Sequence, residues 1–398
     1  MRPTPADARA AEWPYTTLDL ATLRAEGWRP TALREFVVKV HQLCNLACDY
    51  CYVYTLADQS WRTRPKTMSE PVVRATAERI AEHAGRHGLA SVTVVLHGGE
   101  PLLTGPDLLG VVATTIRAAL PAATSARFTM QTNGVLLNER ALRMLGAHGI
   151  RVGISLDGPP GDHDRHRRHA DGRGSHAEVR RALALLAMPE HRRHFAGLLC
   201  TVDVTTDPVR VYESLLQYDP PIIDFLLPHA NWSTSPRPVG YGEWLVRLFD
   251  RWFDAPRKET RIRFLEEILN LVLGGASGSE QIGLSPSATA VVETDGAIEQ
   301  VDSLKSAYEG AAATGLSVLT DTFDAALRHP GLVARQIGAA ALGETCLACP
   351  IHRICGGGHY AHRYRAGTGF RNPSVYCADL RQLIEHVRRR VARSLSGP

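Results

Sequence analysis

Residues 38–54 read VKVHQLCNLACDYCYVY. An apolar, β-branched run, EFVVKV (35–40), leads into them and reads as a buried strand. Directly after it come Cys44, Cys48 and Cys51, spaced Cys-x3-Cys-x2-Cys. Three thiolates with no fourth cysteine nearby would leave one iron of a four-iron cluster without a protein ligand. An open position suits chemistry, whereas a structural site is normally closed. The same thiols could instead hold zinc with His41 as fourth ligand, in a cramped loop.

Five more runs of this kind follow: SVTVVLH (91–97), RFTMQT (127–132), RVGISL (151–156), FAGLLCTVDV (195–204) and IIDFLLP (222–228). Amphipathic segments such as PVVRATAERIAEHAG (71–85) and NERALRMLGAHG (138–149) lie between them. Ser69 with Glu70, and Asn138, stand where helix N-caps belong. Six such alternations predict an α/β fold, an open or closed β/α barrel, which we read as a partial (β/α)6 TIM-like barrel. Barrels do their chemistry at the C-terminal ends of strands, and the polar motifs of the first 170 residues fall there.

Residues 1–33 form an N-terminal extension and 34–240 the barrel. Residues 241–280 are a helical bridge ending in the flexible GGASGSE (274–280). Residues 281–398 form a smaller metal-bearing domain. It opens with a hairpin, SATAVVETDGAIEQVDSL (287–304), turning at Asp295-Gly296. It closes with the basic helix DLRQLIEHVRRRVARSL (379–395).

A net charge of +4 is too small to argue for nucleic acid or a membrane surface, and neither partner is expected. The chain has no run of eighteen apolar residues, and the N-terminus lacks the apolar core of a signal peptide. A cytoplasmic, reducing location follows, in which clustered thiols bind metal rather than pair. Cys200 alone stands apart from the two cysteine groups, in an apolar strand, and reads as a core residue.

With Tyr50 before the third cysteine, the triad resembles the signature of radical SAM enzymes. The resemblance extends through Gly98-Gly99-Glu100-Pro101, Thr132-Asn133-Gly134, Ser155-Leu156-Asp157-Gly158 and His163-Asp164 with Arg167. It implies S-adenosylmethionine (SAM) chelating the open iron. One electron then cleaves SAM, and the 5′-deoxyadenosyl radical takes a hydrogen from substrate. Glu100, through its carboxylate, and Gly98 and Gly99, through close backbone approach, would receive the SAM amino group. Asn133, Ser155 and Asp157 would lie along SAM, and Arg167 would pair with its carboxylate.

The segment CLACPIHRICGGGHYAHRYRAGTGFRNPSVYC (346–377) resembles the SPASM domain of peptide-modifying radical SAM enzymes. The full SPASM pattern has seven cysteines and two auxiliary clusters. Cys346, Cys349, Cys355 and Cys377 remain here. His359 stands four residues after the third, and Ser285, Ser287 and Ser303 occupy the region where further cysteines are expected. The resemblance therefore implies two [4Fe-4S] clusters in all, the auxiliary one closed by four thiolates. Zinc would also fit such cysteine pairs.

GGGHYAHRYR, NPSVYCADL and VETDGAIEQVDSLKSAYEG resemble the FxsB-type subgroup of SPASM maturases. This implies a ribosomal precursor peptide as substrate and a flavodoxin- or ferredoxin-like one-electron donor. The reaction implied is a C–C crosslink between an aromatic ring and a β-carbon, a three-residue cyclophane. The departing proton needs a base, for which Glu293, Asp302 and Asp379 are candidates. Thioether formation, epimerisation and formylglycine formation stay open, as does a zinc-bearing scaffold without catalysis.

Overall fold

The computed structural model describes residues 12–234 and 239–396. Residues 1–11, which include most of the segment read for a signal peptide, lie outside the described residues. The six runs become six parallel neighbours: β1 (Glu35–His41), β2 (Ser91–Gly98), β3 (Ser125–Thr132), β4 (Ile150–Ser155), β5 (Phe195–Thr201) and β6 (Ile222–Leu226). Two-residue β7 (Arg261–Ile262) continues the sheet beyond β6. On the other side β8 (Thr289–Val292) pairs parallel to β1, and β9 (Ala297–Glu299) and β10 (Ala313–Ser317) follow antiparallel. The order is β10-β9-β8-β1-β2-β3-β4-β5-β6-β7, an open partial barrel of α/β type.

Burial alternates along β2 rather than being uniform. Val92, Val94 and Leu96 point outward, under helices α1 (Glu70–Arg86) and α2 (Pro106–Ala119), and join one core with Val73, Ile80, Leu109, Val112 and Ile116. The alternate residues, ending in His97, face the barrel interior. An open barrel keeps that interior for a ligand instead of filling it with side chains.

Ser69 occupies the N-cap of α1 but its hydroxyl makes no cap bond; Pro71 in the first turn carries the start instead. Asn138 caps α3 (Glu139–Ala147), its Oδ1 accepting the Ala141 N–H at 3.0 Å. Short helix α4 (Pro160–His166) and α5 (His176–Ala187) follow β4, and α6 (Pro208–Leu216) follows β5. The pattern read as two helices over 241–273 is α7 (Tyr241–Phe253) and α8 (Arg263–Val272), with β7 between them. The hairpin turns through Thr294, Asp295 and Gly296, the glycine at φ +87°, one residue longer than the dipeptide suggests. Helix α9 (Cys377–Ser396) packs on α7, where His386 Nε2 meets Asp250 Oδ1 at 2.7 Å. No helix among the described residues is long and apolar enough to cross a membrane.

Candidate active site

The cysteine loop is pinned by backbone pairing with the loop that leaves β2. Gly99 N–H donates to His41 O at 2.8 Å, and Glu100 N–H to Leu43 O at 2.9 Å. Such proximity admits no Cβ: one on Gly98 would lie 2.1 Å from His41 O, and one on Gly99 1.9 Å from Tyr54 Oη. From the far side, Ala47 N–H donates to Arg168 O at 2.7 Å. Asn133 Nδ2 donates to Asn45 Oδ1 at 2.8 Å and lies 3.6 Å from Cys44 Sγ. The loops leaving β1, β2, β3 and β4 thus converge on the three thiols.

Glu100 departs from the role its motif implies. Its side chain is fully buried. Oε1 accepts from Leu102 N–H at 3.0 Å and Thr132 Oγ1 at 2.7 Å, and Oε2 accepts from Asn133 N–H at 2.8 Å. The carboxylate therefore ties the Gly98–Pro101 loop to the Thr132–Gly134 loop, and it is not open toward a ligand's amino group. Pro101 starts a buried 3-10 turn beside it.

Tyr50 Oη donates to Asp157 Oδ2 and accepts from Arg167 Nη1 at 2.9 Å. Asp157 Oδ1 accepts Thr201 N–H at 2.9 Å. Behind them His163 Nδ1 accepts Asp157 N–H at 3.2 Å, which places its proton on Nε2, facing Ser175 Oγ at 3.0 Å. Ser175 Oγ donates in turn to Arg167 O at 2.8 Å. Burial, helped by the Arg167 charge, pushes the His163 pKa down to about 2, so the ring stays neutral in this chain of bonds. Arg167 Nε is buried with no hydrogen-bond partner among the described residues.

These groups surround a cavity of about 280 Å³. Cys44, Cys48, Cys51, Tyr50, Gly98, Gly99, Asn133, Ser155 and Arg167 all line it. So do residues that carried no motif signal: Tyr52, His97, Gln131, Thr201 and His229. Gln131 Nε2 donates to Ser155 Oγ at 2.9 Å. A polar residue at an inward position of a strand was the available signal for Gln131 and His97. Tyr52 and His229 lie in loops and carried none.

The structure sets Asp379 apart from Glu293 and Asp302, which share one ion-pair network. Asp379 accepts the Gly242 N–H at 2.8 Å, in the first turn of α9, and does not line the cavity. Glu293 is fully buried between Lys39 Nζ at 3.0 Å and Lys305 Nζ at 2.5 Å, and so has no path to a substrate proton. Their network includes Asp302 Oδ1, 2.7 Å from Lys39 Nζ, and Arg64, which reaches Glu299 Oε1 at 2.6 Å. Burial and the neighbouring Lys39 and Lys305 cations oppose each other at Glu293, and the cations win, holding it well below the usual carboxylate range. Asp302 keeps an 11% exposed side chain beside Ser303, which lines the cavity. It is the candidate acid at the cavity edge.

Cys346, Cys349, Cys355 and Cys377 line a separate cavity of about 290 Å³. Gly356, Gly357 and Gly358 follow Cys355 at φ +59°, +78° and +70°, and a Cβ on Gly356 would lie 1.8 Å from Gly283 O. Ser285 and Ser287 line a third, polar cavity with Glu280 and Arg335; Arg335 Nη2 donates to Ser287 Oγ at 2.6 Å and pairs with Glu280. An ion pair fills this place rather than thiols. Ser303 lies apart, in the first cavity.

The sulfur spacing bears on zinc. Around one tetrahedral zinc the sulfurs would be about 3.8 Å apart, from Zn–S bonds of about 2.3 Å. Among the described residues, the groups of three ligating side chains with all atoms within 4.8 Å are His83–His87–Asp324 and Glu293–Glu299–Asp302. Neither cysteine set is among them, so neither brings three ligand atoms that close together. The first of those groups is already satisfied: His83 Nε2 accepts Leu33 N–H at 3.0 Å, so its proton is on Nδ1, toward Asp324 at 3.1 Å. The second is neutralised by Lys39, Lys305 and Arg64. Burial pushes the Cys44 and Cys355 thiols up to about 12, so they need a cation's charge to exist as thiolates.

Residues 38–188 match the family model described as the Radical SAM superfamily. The cysteine-type anaerobic sulfatase-maturating enzyme of Clostridium perfringens is 24% identical over 354 residues, 86% of this chain and 93% of that protein. The serine-type anaerobic sulfatase-maturating enzyme of Klebsiella aerogenes is 25% identical over 362 residues, 87% of this chain and 84% of that one. The solved structure of native anSMEcpe with bound AdoMet and Cp18Cys peptide superposes with a TM-score of 0.77 at 21% identity, covering 90% of this chain and 97% of that one.

Proposed function

We propose that this chain, whose residues 38–188 match the Radical SAM superfamily model and whose relatives include anaerobic sulfatase-maturating enzymes, is a radical SAM enzyme that oxidises a side chain of a peptide or protein substrate. The observation that carries the reading is one cavity lined by Cys44, Cys48 and Cys51 together with Gly98, Gly99, Asn133, Ser155 and Arg167. Cys44, Cys48 and Cys51 would hold a [4Fe-4S] cluster, and SAM bound there supplies the radical that takes a hydrogen atom from substrate.

This chain's own residues do the rest. Arg167, whose Nε has no hydrogen-bond partner among the described residues, is held by Tyr50 and Asp157 and would meet a ligand's carboxylate. Gln131 and Ser155 present a linked pair of polar groups to the cavity. Cys346, Cys349, Cys355 and Cys377 would hold a second cluster, closed, able to accept an electron. Asp302, paired with Lys39, supplies negative charge at the edge where a proton must leave.

The finer reaction follows the relatives: conversion of a Cys or Ser side chain to formylglycine. A C–C crosslink of cyclophane type is the second reading. It is favoured by one placement: His359 and His362 of GGGHYAHRYR pack against His229 at the cavity. Anaerobic reconstitution with SAM and reductant tests both. A central-Cys peptide, its Ser counterpart and an aromatic-x-x peptide are the substrates. Formylglycine gives a hydrazide-reactive aldehyde; a crosslink gives loss of two hydrogens with no aldehyde. SAM cleavage without change in any peptide would overturn the maturase reading for these substrates.

A further inference from the structure

Three imidazoles run from the cavity into the C-terminal part of the chain. His229 follows β6, lines the cavity, and carries a buried Nδ1 with no hydrogen-bond partner among the described residues. Its ring lies edge-on to Tyr52, centroids 5.0 Å apart, and 5.8 Å and 5.9 Å from His359 and His362. His359 and His362 are 4.8 Å apart. The ring of His362 packs edge-on to Tyr376 at 4.9 Å, and Tyr376 Oη donates to Pro228 O at 2.8 Å. This cluster of rings is thus braced against the segment that carries His229. His359 Nδ1 accepts Ala361 N–H at 3.3 Å, leaving its proton on Nε2.

We propose that His229 accepts the proton that leaves the substrate during oxidation. This rests on the maturase reading. The balance is complete: a hydrogen atom leaves the β-carbon, and the carbon radical then gives one electron to an oxidised iron–sulfur centre. One proton goes to His229, from the adjoining O–H or S–H, or from a ring carbon in a crosslink. A C=O, C=S or C–C bond forms accordingly, and a C=S product is hydrolysed by water.

Asp302 is the charged group bearing on His229, and Arg335 and Arg363 bear on His359. Tyr52 and the other two imidazoles are in ring contact with His229, and His97, Tyr50, Tyr54, Arg167 and the three thiols line the same cavity. Burial lowers His229 to about 4 against the pull of Asp302, so at neutral pH the ring keeps a free lone pair. Asp302, fixed by Lys39, then acts as the countercharge for the imidazolium that forms. Burial and the neighbouring cations drive His359 well below its ordinary value, so His359 stays neutral beside His229.

The test uses the reconstituted holoenzyme with a peptide it modifies, deuterated at the reacting β-carbon. His229→Gln should still form 5′-deoxyadenosine carrying that deuterium. Product per deoxyadenosine should fall by about 100-fold, the usual weight of a proton acceptor. A frozen sample should show a longer-lived organic radical by electron paramagnetic resonance. Imidazole should restore product in His229→Ala. His229→Asn keeps the test decisive where the Gln variant does not fold. Unchanged coupling and radical lifetime in either folded variant would overturn the proposal. Wild-type protein that never forms deoxyadenosine would instead sink the radical reading beneath it.

Discussion

Arg167 Nη1 lies 2.9 Å from Tyr50 Oη, which joins two loops 117 residues apart at the mouth of the cysteine triad. The aromatic residue before the third cysteine is therefore a hydrogen-bonding post for a cavity arginine. Replacing Arg167 with Lys keeps the charge and loses the fork. SAM affinity should drop by about 10–100-fold, the worth of one or two charge-assisted bonds, with iron content unchanged. Isothermal titration against SAM reads this directly, and wild-type affinity would refute it.

Cys48→Ala should abolish SAM cleavage. Cys349→Ala should leave cleavage in place while product formation stops. Iron should fall from about eight to about four per chain in each, if each site holds one four-iron cluster. Stoichiometric zinc in the wild-type protein would contradict both expectations.

Glu100→Gln replaces an acceptor-only group by one that must turn an NH₂ toward a loop already donating three hydrogen bonds. Leaving such a buried donor unsatisfied costs about 1–3 kcal/mol. Denaturant unfolding should show that loss, together with slower reconstitution of the first cluster. A variant as stable as wild type would mean that the two loops hold together without the carboxylate.

The pH dependence has a defined sign. His163 and His229 have folded pKa values lowered to about 2 and about 4, below the unfolded value near 6.5. Between those values the unfolded chain binds protons that the folded chain refuses, so stability is full above about pH 6.5 and falls as pH drops toward 4. Each unit of separation is worth about 1.4 kcal/mol. The melting temperature should therefore fall steadily between pH 6.5 and 5, and His163→Gln should flatten that slope.

The sequence carried local information well. Six apolar runs became six strands because each is long enough for its pattern to be counted. The cysteine spacings marked both thiol sites because a cluster loop must be short. β7 escaped because two residues have no period. The Lys39–Glu293–Asp302 network escaped because its members are joined by strand pairing between distant segments, which no local pattern encodes. Lys39 looks like an ordinary polar break in EFVVKV. Glu100 was found as part of a motif, yet its contacts run to Thr132 and Asn133 rather than to an open site, and only geometry tells these apart.

The parallel pairing of Glu35–Val38 with Thr289–Val292 has one more consequence. A chain ended at residue 280 would turn EFVVKV into a bare border strand, flat, apolar and rich in β-branched residues, the kind that recruits other chains. It would also strand the ammonium of Lys39 in the interior without its acids. The barrel that carries Cys44, Cys48 and Cys51 is footed on a strand supplied by the part of the chain that carries the other cysteine group. Tailoring one by excision or domain exchange would have to carry residues 289–302 along with it.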